Sequence, residues 1–435
     1  MKHLLLLLFM ALASFSGMAL EGSWRGMLDL GRVQMALVLN FSHDAQGNAV
    51  CTFDSPDQGV YGLATKVCLL TDDSVAVEVT IARIKVSGRI VGHKIEGMFE
   101  QSSVRLPLVL EYQQPEATED LPYAVSEVEI VSDGAMLSGT LCMPAEPCAL
   151  VVMVTGSGPQ NRDEELMGHR PFAVLADSLA RAGIASIRYD DRGVAQSNGD
   201  FAAATTDTFA LDAQRVVEHA RTIFAGKVGI IGHSEGGYIA YQLAAEGVVD
   251  FAVSIAGPAI PCREIILDQN RFSLEKAGLS EEQITTALAI VSEAFDVIAA
   301  GGTPDFDAIA GERASQLPES LMASLRATSQ ASTTPWVRRF VQLDAAPYLR
   351  TIKCPLMAIF GTLDIQVRST VNYPRVKELC SSAHVVEYTG LNHLMQHAVT
   401  GAVTEYSQIT ETISPEVIAD IAAFIRSVCP SLSLQ

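Results

Sequence analysis

Between the apolar run Lys227 to Ile231 and a helical stretch from Gly237 stands the segment Gly232-His233-Ser234-Glu235-Gly236-Gly237. Glycines two places before and two places after a serine allow a sharp strand-to-helix turn. Neighbouring backbone there comes too close for side chains, and the serine is held strained and exposed. The chemistry such a serine does is attack on a carbonyl. A phosphate-cradling loop would need a Lys-Ser/Thr pair after its glycines, and none follows here. A serine hydroxyl is a poor nucleophile near neutral pH, so it needs a histidine base, and the base needs an acid to fix its tautomer. The run Leu356 to Phe360 ends in Gly361-Thr362-Leu363-Asp364, and His384 to Tyr388 ends in Thr389-Gly390-Leu391-Asn392-His393. Asp364 and His393 thus leave the carboxyl ends of two successive strands, where the loops of a parallel sheet converge on one crevice. The order serine, acid, histidine is that of hydrolases built on such a sheet.

Attack on a carbonyl creates an oxyanion that needs two backbone donors. The Glu235 amide, directly after Ser234, is one candidate. The other comes from the loop after the first buried strand, Thr155-Gly156-Ser157-Gly158-Pro159-Gln160, where the Ser157 amide is preferred over those of Gly158 and Gln160. Competing residues have plainer readings. His397, one helical turn beyond His393, falls inside the next helical segment. His233 is expected to point away from the serine's pocket. Asp190 and Asp191, in Arg188-Tyr189-Asp190-Asp191-Arg192-Gly193, precede the serine and read as a salt-linked supporting loop, with Arg188 and Arg192 as possible substrate contacts.

Two kinds of periodicity supply the elements that position these residues. From Gly22 to about Tyr112 the chain shows short β-branched runs, such as Val75 to Ile81 and Lys94 to Phe99, separated by turn signals. Residues 20–112 therefore read as a small all-β domain, a sandwich or open barrel, and 113–121 as a linker. From residue 122 the rhythm is strand, helix, strand, which implies a mostly parallel sheet covered on both faces. This pattern fills 122–257 and returns over 348–435. Between them, over 258–347, the strands disappear. Ser280-x-x-Gln283 is a capping box opening a helix to about Ala299, and 258–347 reads as a helical cap inserted in the α/β core.

Composition bounds the partners. Of 435 residues 49% are hydrophobic and 18% charged, which supports a large core and excludes global disorder. Fifty acidic against 30 basic residues leave a net charge of −20, so nucleic acid and anionic membrane surfaces are repelled. Mean hydropathy is +0.24, yet no apolar run reaches the ~20 residues a spanning helix needs. Lys2, the apolar run Leu4 to Phe15 and the small residues around Met18 have the layout of a secretory leader over 1–19, which places the mature chain outside the cytoplasm, secreted or periplasmic. Eight cysteines fit an oxidising compartment, and spacing suggests the pairs Cys142–Cys148, Cys354–Cys380 and Cys51–Cys68. None of the spacings matches a zinc site.

Taken together these residues resemble the α/β-hydrolase superfamily. Within it the chain is similar to bacterial carboxylesterases with an extra N-terminal β domain, near the serine-aminopeptidase-like branch. The stretches that carry the likeness are 156–163, Tyr189 to Gly193, Gly232 to Gly237, Gly361 to Asp364 and Asn392 to Gln396, with Pro335-Trp336 as a further landmark. Ala195 departs from the pattern, where the loop usually has glycine. The resemblance implies an α/β-hydrolase fold, a mostly parallel sheet with helices on both faces and an inserted helical cap, preceded by a small all-β domain. It implies ester hydrolysis without metal or organic cofactor, acting on a small-molecule ester. The leading expectation is a serine carboxylesterase for short- to medium-chain esters, with Ser234 as nucleophile, His393 as base, Asp364 as orienting acid and the Glu235 and Ser157 amides as oxyanion hole. The alternative is a serine peptidase, aminopeptidase or dipeptidyl type, using the same triad. A third reading, a non-enzymatic binding protein, conflicts with the presence of every triad member.

Overall fold

Side chains that alternate between core and solvent build the first of two units. The computed structural model describes residues 20–429 apart from 32–33, 44–46, 59, 103, 114–120 and 330–332. The expected leader, 1–19, and most of the expected linker, 113–121, lie outside the described residues. One unit comprises the described residues up to Pro56 and from Tyr61 to 113; the other comprises 57–60 and the described residues beyond 120. The strands of the first are β1 (Gly22–Asp29), β2 (Gln34–His43), β3 (Ala49–Ser55), β4 (Val60–Ala64), β5 (Lys66–Leu70), β6 (Ser74–Val79), β7 (Ile84–Val91), β8 (Lys94–Gln101) and β9 (Val104–Gln113). They form a single nine-stranded sheet in the order β4-β3-β2-β1-β9-β8-β7-β6-β5. In β9, Leu108 and Leu110 are buried while Val109 between them is exposed, the period-2 signature of a strand with one covered face. Trp24, Leu28, Leu37, Phe53 and Ile95 fill that face. Gly97 is required: a Cβ there would lie 2.0 Å from the Ser87 carbonyl oxygen on β7.

The second unit carries the eight-stranded sheet β10-β11-β13-β12-β14-β15-β16-β17. Its strands are β10 (Tyr123–Ser132), β11 (Ala135–Pro144), β12 (Ala149–Val154), β13 (Ile184–Tyr189), β14 (Lys227–His233), β15 (Ala252–Ile255), β16 (Leu356–Gly361) and β17 (His384–Tyr388). The first two form an antiparallel hairpin, and β11 meets β13 antiparallel. From β13 to β17 every neighbour is parallel, as the strand–helix alternation requires. Because both faces are covered, the parallel strands read as unbroken apolar runs. In β12, Val151 and Met153 face helices α1 (Pro171–Arg181) and α11 (Pro415–Val428). Leu150, Val152 and Val154 face α2 (Thr206–Ile223), α3 (Glu235–Ala245) and α10 (Ser369–Leu379). Burying each such side chain contributes about 1.5–3 kcal/mol.

Among the described residues between β15 and β16 the regular elements are helices: α4 (Cys262–Lys276), α5 (Glu281–Ala299), α6 (Phe306–Ala310), α7 (Glu319–Thr328), α8 (Pro335–Phe340) and α9 (Ala346–Leu349). Helix α5 opens on the capping box read from the sequence. The Ser280 hydroxyl accepts the Gln283 amide, and the Gln283 side chain accepts the Ser280 amide. The insertion has a small core of its own, with Ile290, Ala294, Phe306 and Met322 packed together. Among the described residues no helix is long and apolar enough to cross a membrane.

All eight cysteines are free thiols, so the three expected bridges are corrected. Cys51 is buried while Cys68 is exposed. Cys142 lies within β11 and Cys148 just before β12, and these strands are not neighbours because β13 lies between them. Cys354 lies near the Ala244 carbonyl, whereas the Cys380 thiol meets the Ser382 hydroxyl.

Candidate active site

The turn between β14 and α3 places Ser234 with φ 53° and ψ −116°, a backbone region that costs a non-glycine residue about 1–3 kcal/mol. The flanking glycines are sterically obligatory. A Cβ on Gly232 would lie 1.9 Å from the Gly236 carbonyl oxygen, and one on Gly236 would lie 2.1 Å from that of Val154. Glu235 is the first residue of α3, so its amide precedes the helix's own hydrogen-bond ladder and is available to an anion.

Asp364 and His393 arrive from the carboxyl ends of β16 and β17 and meet. His393 Nδ1 lies 2.8 Å from Asp364 Oδ2, with both side chains almost wholly buried. The other carboxylate oxygen, Oδ1, accepts the amides of Gln366 (2.8 Å) and Val367 (2.9 Å), which sets the carboxyl plane. Asn392 braces the histidine loop: its Oδ1 accepts the Leu394 and Gln396 amides, and its Nδ2 donates to Gln396 Oε1. Ser157, Ser234, Glu235 and His393 line one cavity of about 230 Å³. Its other walls are mainly apolar, with Pro258, Ile265, Ile266, Phe340 and Val367, and the amide side chains of Gln160, Gln269 and Gln366.

The supporting loops differ from the sequence reading in several places. His233 does not point away; it lines the cavity, its ring 4.6 Å from that of His393. Its Nε2 lies 2.9 Å from the His393 carbonyl oxygen and its Nδ1 2.8 Å from Glu164 Oε1. Burial by itself would lower this imidazole; the Glu164 carboxylate outweighs that and holds it above its ordinary value. His397 sits in no helix, is exposed and bonds Glu411 at 2.9 Å, outside the cavity. Asp190 is salt-linked, to Arg162 at 2.7 Å, but Asp191 is not: it accepts the Gln160 amide and the Thr155 hydroxyl and so holds the Ser157 loop. Burial pushes the Asp191 carboxyl well above the usual carboxylate range, although those two donors act against it. Arg188 pairs with Asp163 and Arg192 with Asp212, and neither lines the cavity. Ala195 stands at φ 47°, the left-handed region that explains why glycine suits this position.

The sequence reading assigned no role to the Glu235 side chain or to Trp336. The carboxyl is buried and accepts from Thr206 Oγ1 (2.6 Å), Trp336 Nε1 (2.8 Å) and the Ser157 hydroxyl. Burial raises it above its usual value in spite of those donors. Through its bond to Glu235, Trp336 ties helix α8 of the insertion to the serine turn, and within α8 its ring stacks on Phe340 at 4.7 Å. A glutamate inside the glycine-rich turn was the one available signal, since burial beside Ser234 demands partners. Among the described residues no group of three or more His, Cys, Asp or Glu side chains is placed to hold a metal ion.

Residues 105–385 match the family model described as X-Pro dipeptidyl-peptidase (S15 family). Esterase EstD of Thermotoga maritima is 25% identical over 309 residues, 69% of this chain and 66% of that protein. The chain thus spans just under two thirds of that relative's length. Among solved structures, an esterase of Pyrococcus furiosus is 19% identical with a TM-score of 0.43, covering 72% of this chain and 94% of its own. A proline iminopeptidase of Mycobacterium smegmatis is 14% identical with a TM-score of 0.41, covering 70% and 98%. The chain belongs to the X-Pro dipeptidyl-peptidase (S15) family.

Proposed function

We propose that this protein is a serine hydrolase, a carboxylesterase acting on uncharged esters of short to medium acyl chain. Ser234 Oγ attacks the ester carbonyl while His393 Nε2 takes its proton, and Asp364 holds the ring with Nδ1–H toward the carboxylate. The tetrahedral oxyanion is held by the Ser157 and Glu235 amides. Collapse breaks the bond to the alkoxy group, which leaves as the alcohol with the proton from His393, and the acyl group remains on Ser234. Water then gives its proton to His393, attacks the acyl carbon, and releases the acid and free serine.

The observation that carries the ester assignment is the chemistry of the cavity wall. Its carboxylates are Glu164 and Glu235, and both are engaged inside the protein. A peptidase that reads a free amino terminus needs an anion for the substrate ammonium, and burying that cation unpaired is costly. Apolar walls and three amide side chains suit a neutral acyl group, and about 230 Å³ limits its length. The family's description favours the dipeptidyl-peptidase reading, so the test sets the two together. Initial rates on nitrophenyl esters of increasing acyl length and on an X-Pro anilide are compared for the wild type and Ser234→Ala. Ester turnover that vanishes in a folded Ser234→Ala variant supports the esterase; anilide turnover alone overturns it.

A further inference from the structure

Beside the Asp364–His393 pair lies a second acid–imidazole pair that the esterase mechanism leaves unused. Glu164 and His233 are both nearly inaccessible, their side chains 6% and 8% exposed. Hydrogen-bond bookkeeping places their protons. The His393 carbonyl can only accept, so His233 Nε2 carries a hydrogen. On the other side, one oxygen, Glu164 Oε1, meets both the Gly156 amide (2.7 Å) and His233 Nδ1 (2.8 Å). An oxygen that accepts a backbone N–H while facing a ring nitrogen is best matched by a carboxylate accepting twice, which puts the second hydrogen on Nδ1. Glu164 is itself held at φ 53°, so its backbone is strained into the position that makes both contacts.

We propose that Glu164 and His233 form a buried carboxylate–imidazolium pair that positions the catalytic groups, clamping the Ser157 loop through the Gly156 amide and the His393 loop through its carbonyl. The pair joins the loop before the oxyanion donor to the backbone of the base, and the turn it crosses holds Ser234. A Cβ on Gly156 would lie 3.1 Å from Glu164 Oε1 and 3.2 Å from the Ser234 Cβ, so carboxylate, glycine and nucleophile pack without slack. The ionisable groups facing His233 are Glu164, His393 and Asp364, and the two carboxylates favour its charged form. The kinetic role of the pair rests on the esterase reading, whereas its protonation does not.

The test therefore has two arms. In the full chain with ¹⁵N-labelled histidine, imidazole ¹H–¹⁵N spectra are recorded at about pH 8.5, some two units above the ordinary histidine value. One of the nine rings is expected to remain doubly protonated, to be lost in His233→Asn and to become singly protonated in Glu164→Gln. Absence of a doubly protonated ring in the wild type, or its survival in His233→Asn, overturns the proposal. In the second arm Glu164→Gln is expected to lower kcat on the best ester roughly 10- to 100-fold with KM within about twofold, the scale of a small misplacement of reacting groups. An unchanged kcat in a variant whose ring has lost its second proton overturns the positioning role. A wild type inactive on every ester sinks the esterase reading instead, and the spectra still decide the pair.

Discussion

Replacing Asp364 by asparagine tests the proposed triad at its least ambiguous bond. Asp364 Oδ1 accepts two backbone amides, those of Gln366 and Val367, while Oδ2 faces His393 Nδ1. An asparagine has one oxygen and must keep it toward the two amides. Turning its NH₂ there would set donors against donors and strand buried N–H groups at about 1–3 kcal/mol each. Its NH₂ therefore faces His393 Nδ1, which must become an acceptor, and the ring's hydrogen moves to Nε2. In that tautomer Nε2 cannot take the Ser234 proton. The expected loss in kcat is on the order of 10⁴-fold, about 5 kcal/mol of barrier at 1.36 kcal/mol per tenfold. Size is unchanged, so the thermal midpoint should move by only a few degrees. The assay is the initial rate on a nitrophenyl ester with a melting curve on the same samples. A folded Asp364→Asn variant retaining more than a tenth of wild-type kcat would refute the tautomer argument.

Three further outcomes follow from particular contacts. Gly236→Ala drives a Cβ against the Val154 carbonyl, which is backbone and cannot swing aside; the variant should lose activity and several degrees of thermal midpoint, and a wild-type melt with full rate would contradict this. Ala195→Gly relieves a left-handed alanine, worth about 1–2 kcal/mol in strain but partly offset by added chain entropy, so a net gain of up to about 1 kcal/mol in denaturant unfolding is expected. Burial raises the Glu235 carboxyl, so on increasing pH the unfolded chain releases this proton first. Between the unfolded and the raised folded value the native state holds the extra proton, and stability falls by about 1.4 kcal/mol per pH unit. Glu235→Gln should remove that slope, measured as urea midpoints across the range above the ordinary carboxylate value; an identical slope in both proteins would refute the assignment.

Much of this protein is legible in order and type along the chain. Runs such as Ala149 to Val154 have no polar side, and a strand covered on both faces can have none, so the parallel sheet is readable from residue order alone. Gly232 and Gly236 are legible because local crowding admits no side chain. Asp364 and His393 are legible because each follows an apolar run directly, and parallel strands deliver their carboxyl ends to one edge. Each of these signals is local, carried by neighbours within a few residues. What only the tertiary structure decided involves partners far apart in sequence. Glu164 meets His233 across 69 positions, and Trp336 meets Glu235 across 101. The insertion of β13 between β11 and β12 separates the strands of Cys142 and Cys148, which spacing alone would join. Burial and hydrogen-bond supply set the protonation of Glu235, Asp191 and His233, and no window of sequence contains the atoms that impose them.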